Sequence, residues 1–277
     1  MKYRIARAFR AVLALVWMML IYLFLLAPLV VVVGASFNGG GSFITFPPTD
    51  LSLKWYFRMD PGELRALGVS VLLATSVSLG AVVLGIPAAL GLVRAEFRGK
   101  ALVAAILRSP LQIPAVVIGV SFFRLYYSVG EKTGLYATGT LLGLFIGHLF
   151  MVTPYVTGAL VSVLQRVNMR LEEAALSLGA FRFSVLRRVT LPIIMPGVYT
   201  GAIYAFLVSF GDVPVALFLG ANGITTFPVE IFDAMQFDFD PSILAISSLT
   251  IVGSIVLILA LQRLVGMDAL LRAGGNK

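Results

Sequence analysis

No charged residue occurs between Arg10 and Asp50, and the first 25 residues of that gap, Ala11 to Ala35, are almost wholly apolar. A bilayer core about 30 Å thick needs roughly 20 apolar residues in a helix, because each residue rises about 1.5 Å and hydrocarbon offers no partner to an unpaired backbone group. The stretch is therefore long enough to cross a membrane. A signal peptide is the competing reading, given the basic start Met1-Lys-Tyr-Arg-Ile-Ala-Arg and the small residues Gly34-Ala35-Ser36. The apolar core of a signal peptide is shorter, about 7–15 residues, so a retained helix is expected.

The pattern repeats. Charge-poor apolar runs place further spans at about 67–92, 110–127, 138–164, 193–219 and 241–265, which with 11–35 makes six. The third is interrupted by Pro110 and Pro114, with Lys100–Arg108 as an interfacial lead-in. The expected fold is an all-α membrane protein of six transmembrane helices in one domain, 1–277. Composition agrees: 12% of residues are charged and 59% hydrophobic, where a soluble domain has about a quarter and about half. The absence of cysteine excludes a disulfide framework, a thiolate metal site and a cysteine nucleophile, and one histidine is too few for a histidine-built metal centre. No metal site and no catalytic constellation is expected. The net charge of +8 lies in loops between apolar runs, not on a folded soluble face, so nucleic acid is not an expected partner.

Cations fix the orientation, because short cytoplasmic loops retain Lys and Arg. With the N-terminus inside, fifteen of the 21 basic residues fall on inner segments and four (Lys54, Arg58, Arg65, Lys132) on outer ones. Both termini are thus expected in the cytoplasm. Eight of the thirteen acids lie outside, and the basic inner face suits anionic membrane lipid.

The one substantial inner loop is 166–192. Leu171, Ala174, Ala175 and Leu178 recur at helical spacing, with Glu172, Glu173 and Ser177 off that stripe. Gly179 then stands where a helix commonly stops in a left-handed residue. A second amphipathic stretch follows, Phe181, Val185 and Val189 against Arg182, Arg187 and Arg188, and Leu191-Pro192 leads into the next span. On periodicity alone this is a surface helix on headgroups.

The spacing Glu173-Ala174-Ala175-x3-Gly179-x9-Val189-x-Leu191-Pro192 resembles the EAA loop of ABC-importer permeases, with valine where isoleucine is usual. Ser209-Phe-Gly-Asp-Val-Pro-Val-Ala-Leu-Phe-Leu219 and Thr226-Phe-Pro-Val-Glu-Ile-Phe232 resemble the spermidine/putrescine class of that family, a region it shares with iron and some amino-compound importers. The resemblance implies a type I importer permease whose coupling loop docks on an ATPase through Glu172, Glu173, Ala174, Ala175, Gly179, Leu191 and Pro192. It also implies two ATP-binding subunits that use ATP and Mg, a second homologous permease, and a periplasmic or lipid-anchored binding protein that delivers a small cationic solute. The setting it implies is a bacterial inner membrane. No G-x-x-x-x-G-K-[ST] loop occurs in the chain, so ATP hydrolysis is expected in a partner and this subunit is not expected to be an enzyme.

Asp212 is the one acid inside an expected span, and ionisable groups there are costly enough to point to function. With Ser209 it is the candidate for the translocation path. Two roles are open to it: lining a cation path, or anchoring structure by pairing with a backbone amide or Arg124. His148 is read first as a structural histidine bonded to a neighbouring helix or water, with a proton-coupling role as the alternative. Gly139, Gly143 and Gly147, and Gly197 with Gly201, form small-residue steps that let helices approach closely. The acidic outer loop 220–240 is read as facing the binding protein or as a simple solvated loop, two readings that can coexist. Two rival functions remain. One is an importer of the same class for iron or another amino compound; the other is a secondary ion-coupled carrier, which predicts internal repeats and paired midplane ionisable groups.

Overall fold

In the computed structural model, which describes residues 2–39, 45–220, 223–237, 240–256 and 259, every regular element is helical apart from one isolated antiparallel bridge between Asn38 and Leu51. The apolar runs become helices because a helix pairs nearly all its backbone groups within one segment. α1 covers Lys2–Ala35 and α2 covers Pro61–Arg94. α3 (Lys100–Arg108), α4 (Ala115–Thr133) and α5 (Leu141–Leu164) follow. α6 (Arg170–Ser177) and α7 (Arg182–Val185) occupy the long loop, and a π-helical turn over Leu186–Thr190 carries α7 into α8 (Leu191–Phe210). Then come α9 (Pro214–Leu219), α10 (Phe227–Phe237) and α11 (Ser242–Val256).

Among the described residues, four helices are long and apolar enough to cross a membrane: Phe9–Ala35, Pro61–Arg94, Leu141–Leu164 and Arg182–Phe210. A fifth span results if Lys100–Gln112 and Ala115–Thr133, which meet at a 103° bend, are one broken span. The count of six is not reached among these residues. The expected sixth, 241–265, is described over 241–256 and at 259, and the rest of it lies outside the described residues.

Two expected spans are broken where the backbone chemistry demands it. In the third, Ile113 is extended (φ −96°, ψ 126°) because it precedes Pro114, whose ring crowds the helical conformation of the residue before it. In the fifth, α8 starts two residues early at Leu191 and stops at Phe210; Gly211–Val213 form a break, and Pro214 opens α9 where its missing N–H costs no hydrogen bond.

The chain divides into two compact units, Met1–Leu64 with Ala234–Lys277, and Arg65–Asp233. In the first, every position of α1 from Phe9 to Val31 is exposed, a surface suited to hydrocarbon. Beyond α1, the Tyr56 hydroxyl shares hydrogen bonds with Ser36 Oγ (2.7 Å) and Ser248 Oγ (2.6 Å), and Trp55 Nε1 donates to the Asn38 carbonyl (2.8 Å). Glu63, at the start of α2, accepts from Ser242 Oγ (3.0 Å).

In the second unit the core is built of Leu73, Val77, Leu144, Val152, Val156, Leu160, Leu164, Ile194 and Leu219, all buried. α5 packs along α8, and glycines set how closely. A Cβ placed on Gly201 would stand 2.9 Å from the Val156 Cα, and one on Gly197 would stand 3.0 Å from Val163 Cγ2. Ser78 Oγ of α2 donates to the Ala202 carbonyl of α8 (2.8 Å). On α4, a Cβ on Gly119 would meet the Pro214 carbonyl at 3.0 Å, so α4 lies directly against α9.

Candidate functional site

Two places in the second unit carry the polar chemistry: the loop from α5 to α8, and the break after α8.

In the loop, α6 ends as its sequence dictates. Gly179 is left-handed (φ +85°), its N–H bonds the Leu176 carbonyl (2.9 Å), and the N–H of Ala180 reaches back to the Ala175 carbonyl (3.1 Å). This is the Schellman pattern, which satisfies carbonyls that a helix end otherwise leaves open. The side chains around the turn face outward: Leu178 is 90% exposed, Phe181 85% and Phe183 73%. Leu171 and Ala174 are exposed and Ala175 half-buried, so the apolar stripe of α6 is not covered by this chain. Glu173 is exposed, whereas its neighbour Glu172 turns inward to Arg94 at the end of α2 (2.9 Å) and to the Thr190 hydroxyl (3.0 Å). The expected second amphipathic stretch keeps its stripe in part: Val185 is buried and Val189 half-buried against exposed Arg182, Arg187 and Arg188, while Phe181 is extended (φ −70°, ψ 148°) ahead of α7 and exposed. The π-helical turn over Leu186–Thr190, with its extra residue per turn, buries Thr190. Leu191 and Pro192 open α8.

At the break, Asp212 Oδ2 accepts the N–H groups of Val215 (2.9 Å) and Ala216 (3.0 Å), capping α9. His148, fully buried on α5, shares a hydrogen bond with Ser209 Oγ through Nδ1 (3.0 Å), and its Nε2 stands 3.8 Å from Asp212 Oδ2. The three have the residue types of a nucleophilic triad without its wiring. Nε2 and the carboxylate are beyond hydrogen-bond reach, the carboxylate is committed to backbone amides, and Ser209 is 4% exposed. Asp212 also lines a cavity of about 320 Å³, with Leu111, Ile118, Met151, Tyr155 and Val208 among its other walls. The 103° bend before α4 and the break after α8 both open onto this space. Arg124, on the same helix as Ile118, is not among the residues that line the cavity. Among the described residues, no group of three or more His, Cys, Asp or Glu side chains could hold a metal ion.

A family model described as "Binding-protein-dependent transport system inner membrane component" matches residues 81–267, which include both the loop and the break. The chain belongs to this family. Among curated relatives of this inner-membrane component are the putrescine transport system permease protein PotI of Escherichia coli strain K12 and the spermidine/putrescine transport system permease protein PotC of Shigella flexneri. PotI is 32% identical over 244 residues, 87% of this chain and 86% of the relative. PotC is 28% identical over 262 residues, 94% and 96% respectively. Of solved structures, a bacterial ABC transporter involved in import of the acidic polysaccharide alginate aligns with a TM-score of 0.72 at 18% identity, covering 93% of this chain and 96% of that one. At that identity the likeness concerns the fold, which is that of an ABC-importer permease.

For this inner-membrane component, the residues that sequence reasoning missed are Arg94, Thr190 and Phe183. Phe183 was visible as a second aromatic beside Phe181. Arg94 and Thr190 had no local signal, because their meaning lies in a carboxylate reached across the fold.

Proposed function

We propose that this chain is the permease subunit of an ATP-driven importer for a small cationic solute, a polyamine, with the loop 166–192 as its docking segment for an ATPase. The observation that carries the docking is the exposed apolar tip Leu178, Phe181 and Phe183 around the rigid Gly179 turn. An exposed apolar patch of this kind marks a contact with a protein or a membrane, and the EAA-like spacing of this loop favours the protein. In that reading Glu173, Ala174 and Ala175 face the ATPase, Gly179 fixes the angle of approach, and Leu191 and Pro192 pass the movement into α8.

The cargo follows from the relatives, whose names specify putrescine and spermidine. It also suits an acidic side chain on the wall of a cavity of about 320 Å³, near the lower end of about 300–1,000 Å³ for small-molecule sites. Asp212 then borders the path, both capping α9 and presenting negative charge to the ammonium groups, whereas Ser209 is buried against His148 and is not part of the cavity wall. The assembly comprises two ATPases that bind ATP and Mg, a second permease and a soluble binding protein. Six spans, the sixth running through α11 to about residue 265, leave both termini in the cytoplasm, and the positive inner loops support that topology. ATP binding closes the ATPase pair, and the docked loops swing the helix bundles so that the cavity opens outward; any such shift requires unequal affinity for the two states.

The test is uptake of labelled putrescine into proteoliposomes holding the complete assembly, with ATP inside or outside and the binding protein supplied in the external buffer. ATP-dependent uptake competed by spermidine, and not by ferric iron or neutral amino acids, is expected. Uptake driven by an ion gradient without ATP would instead favour a secondary carrier.

A further inference from the structure

Glu172 adjoins the residue that opens the EAA motif, yet its carboxylate is spent inside the chain. A single oxygen, Oε1, accepts from Arg94 Nη2 at 2.9 Å and from Thr190 Oγ1 at 3.0 Å. Arg94 is the last residue of α2, Glu172 lies in the first turn of α6, and Thr190 closes the π-helical turn before α8. One atom therefore joins the ends of three elements. The setting is sheltered: the Arg94 and Glu172 side chains are 15% and 19% exposed, and Thr190 is 2% exposed. The Lys100–Glu96 pair nearby is its opposite, at 3.4 Å with Glu96 91% exposed, and solvent-exposed pairs of that kind are screened and contribute little. A charge-assisted bond shielded from water is stronger.

Besides this bond, α6 packs chiefly on α7 and the π-helical turn, which lead by the chain itself into α8. The other end of α6 continues from α5 through residues 165–169, and the Glu172 carboxylate adds a direct link to α2. We propose that Glu172 is a strut and not a docking residue: with Arg94 and Thr190 it ties the coupling helix α6 to α2, so that a push on α6 moves α2 and α8 together. The Ser78 bond from α2 to the Ala202 carbonyl of α8 supports the same pairing deeper in the unit. Arg94, Glu172 and Thr190 are positioning residues in this scheme, which rests on the reading of loop 166–192 as the ATPase-docking segment.

The test has two arms. The chain lacks cysteine, so Ala95→Cys and Ser177→Cys in the full chain accept a pair of spin labels that report the distance from the end of α2 to α6. A narrow distance distribution is expected with the strut intact or with Arg94→Lys, and a broad one with Glu172→Ala or Arg94→Ala. An equally narrow distribution in Glu172→Ala overturns the strut. In the second arm the reconstituted assembly is assayed for solute imported per ATP hydrolysed. Glu172→Ala and Arg94→Ala should each lower that ratio about tenfold while hydrolysis continues, the double variant should be no worse than either, and the exchange Arg94→Glu with Glu172→Arg should recover part of it. An unchanged ratio in correctly assembled variants means that the pair only stabilises the fold, and the proposal fails. If the unmodified chain needs no ATP for uptake, the importer reading fails and takes the force-transmitting role with it, while the label distances still decide whether the tether exists.

Discussion

The carboxylate of Asp212 accepts the backbone N–H of Val215 at 2.9 Å, so an acid inside an apolar bundle is held by the first turn of the helix that follows it. Capping and contact with the cavity are two separate duties of one side chain, and substitutions can divide them.

Asp212→Asn keeps an oxygen for the Val215 and Ala216 amides but removes the charge. Assembly should be unchanged while the KM for a dicationic solute rises about tenfold, the equivalent of about 1.4 kcal/mol. Asp212→Ala should in addition lower thermal stability, since losing a cap costs about 0.5–2 kcal/mol. Uptake kinetics and melting curves of the purified complex separate the effects; normal kinetics in Asp212→Asn would leave Asp212 as a cap alone.

Ser209 is the hydrogen-bond partner of His148 Nδ1, and both are buried. Ser209→Ala should destabilise the chain by about 1–3 kcal/mol, the cost of stranding a buried polar group. Ser209→Thr retains the hydroxyl and should recover part of the loss. Thermal unfolding in detergent reads both, and an unaltered midpoint for Ser209→Ala would mean that the bond contributes nothing.

Gly179 has φ +85° with no atom within 4 Å of where a Cβ would sit, so the obstacle to a side chain there is the backbone conformation and not space. A non-glycine residue in that region costs about 1–2 kcal/mol, and a β-branched one is the worst case. Gly179→Val should therefore abolish coupling of ATP hydrolysis to uptake or prevent assembly with the ATPase. Gly179→Asn, which tolerates the left-handed region, should be milder. Equal coupled transport in both variants would count against the docking role.

Gly201 meets the Val156 backbone, whereas Gly158 on the same pair of helices faces open space. Gly201→Leu should force α8 away from α5 and eliminate folded protein from membranes; Gly158→Ala should accumulate normally, because alanine is the better helix former by about 1 kcal/mol. Yields of monodisperse protein after extraction distinguish them, and a well-folded Gly201→Leu would refute the close contact.

The local features of the loop were legible in advance. Apolar spacing over Leu171–Leu178 gave a helix, and Gly179 stopped it, because periodicity and left-handed backbone depend on residues within one or two turns. The same held for the close approach at Gly197 and Gly201, where the missing side chain is itself the signal. The stripe through Phe181, Val185 and Val189 held at Val185 and departed at Phe181, because Phe181 is extended ahead of α7 and so stands outside the helical period. The continuous fifth span failed at Gly211–Val213, where the Asp212 cap lets a second helix begin.

The sequence by itself determined that the chain is helical and membrane-embedded, and where the helix and glycine turn of its EAA-like loop lie, because apolar length and turn chemistry are properties of short windows. Only the tertiary structure decided that His148 meets Ser209 across 61 residues and Arg94 meets Glu172 across 78. Such pairs depend on how helix ends converge in space, and a carboxylate carries no mark in the chain of whether its partner is solvent, another subunit or a distant arginine.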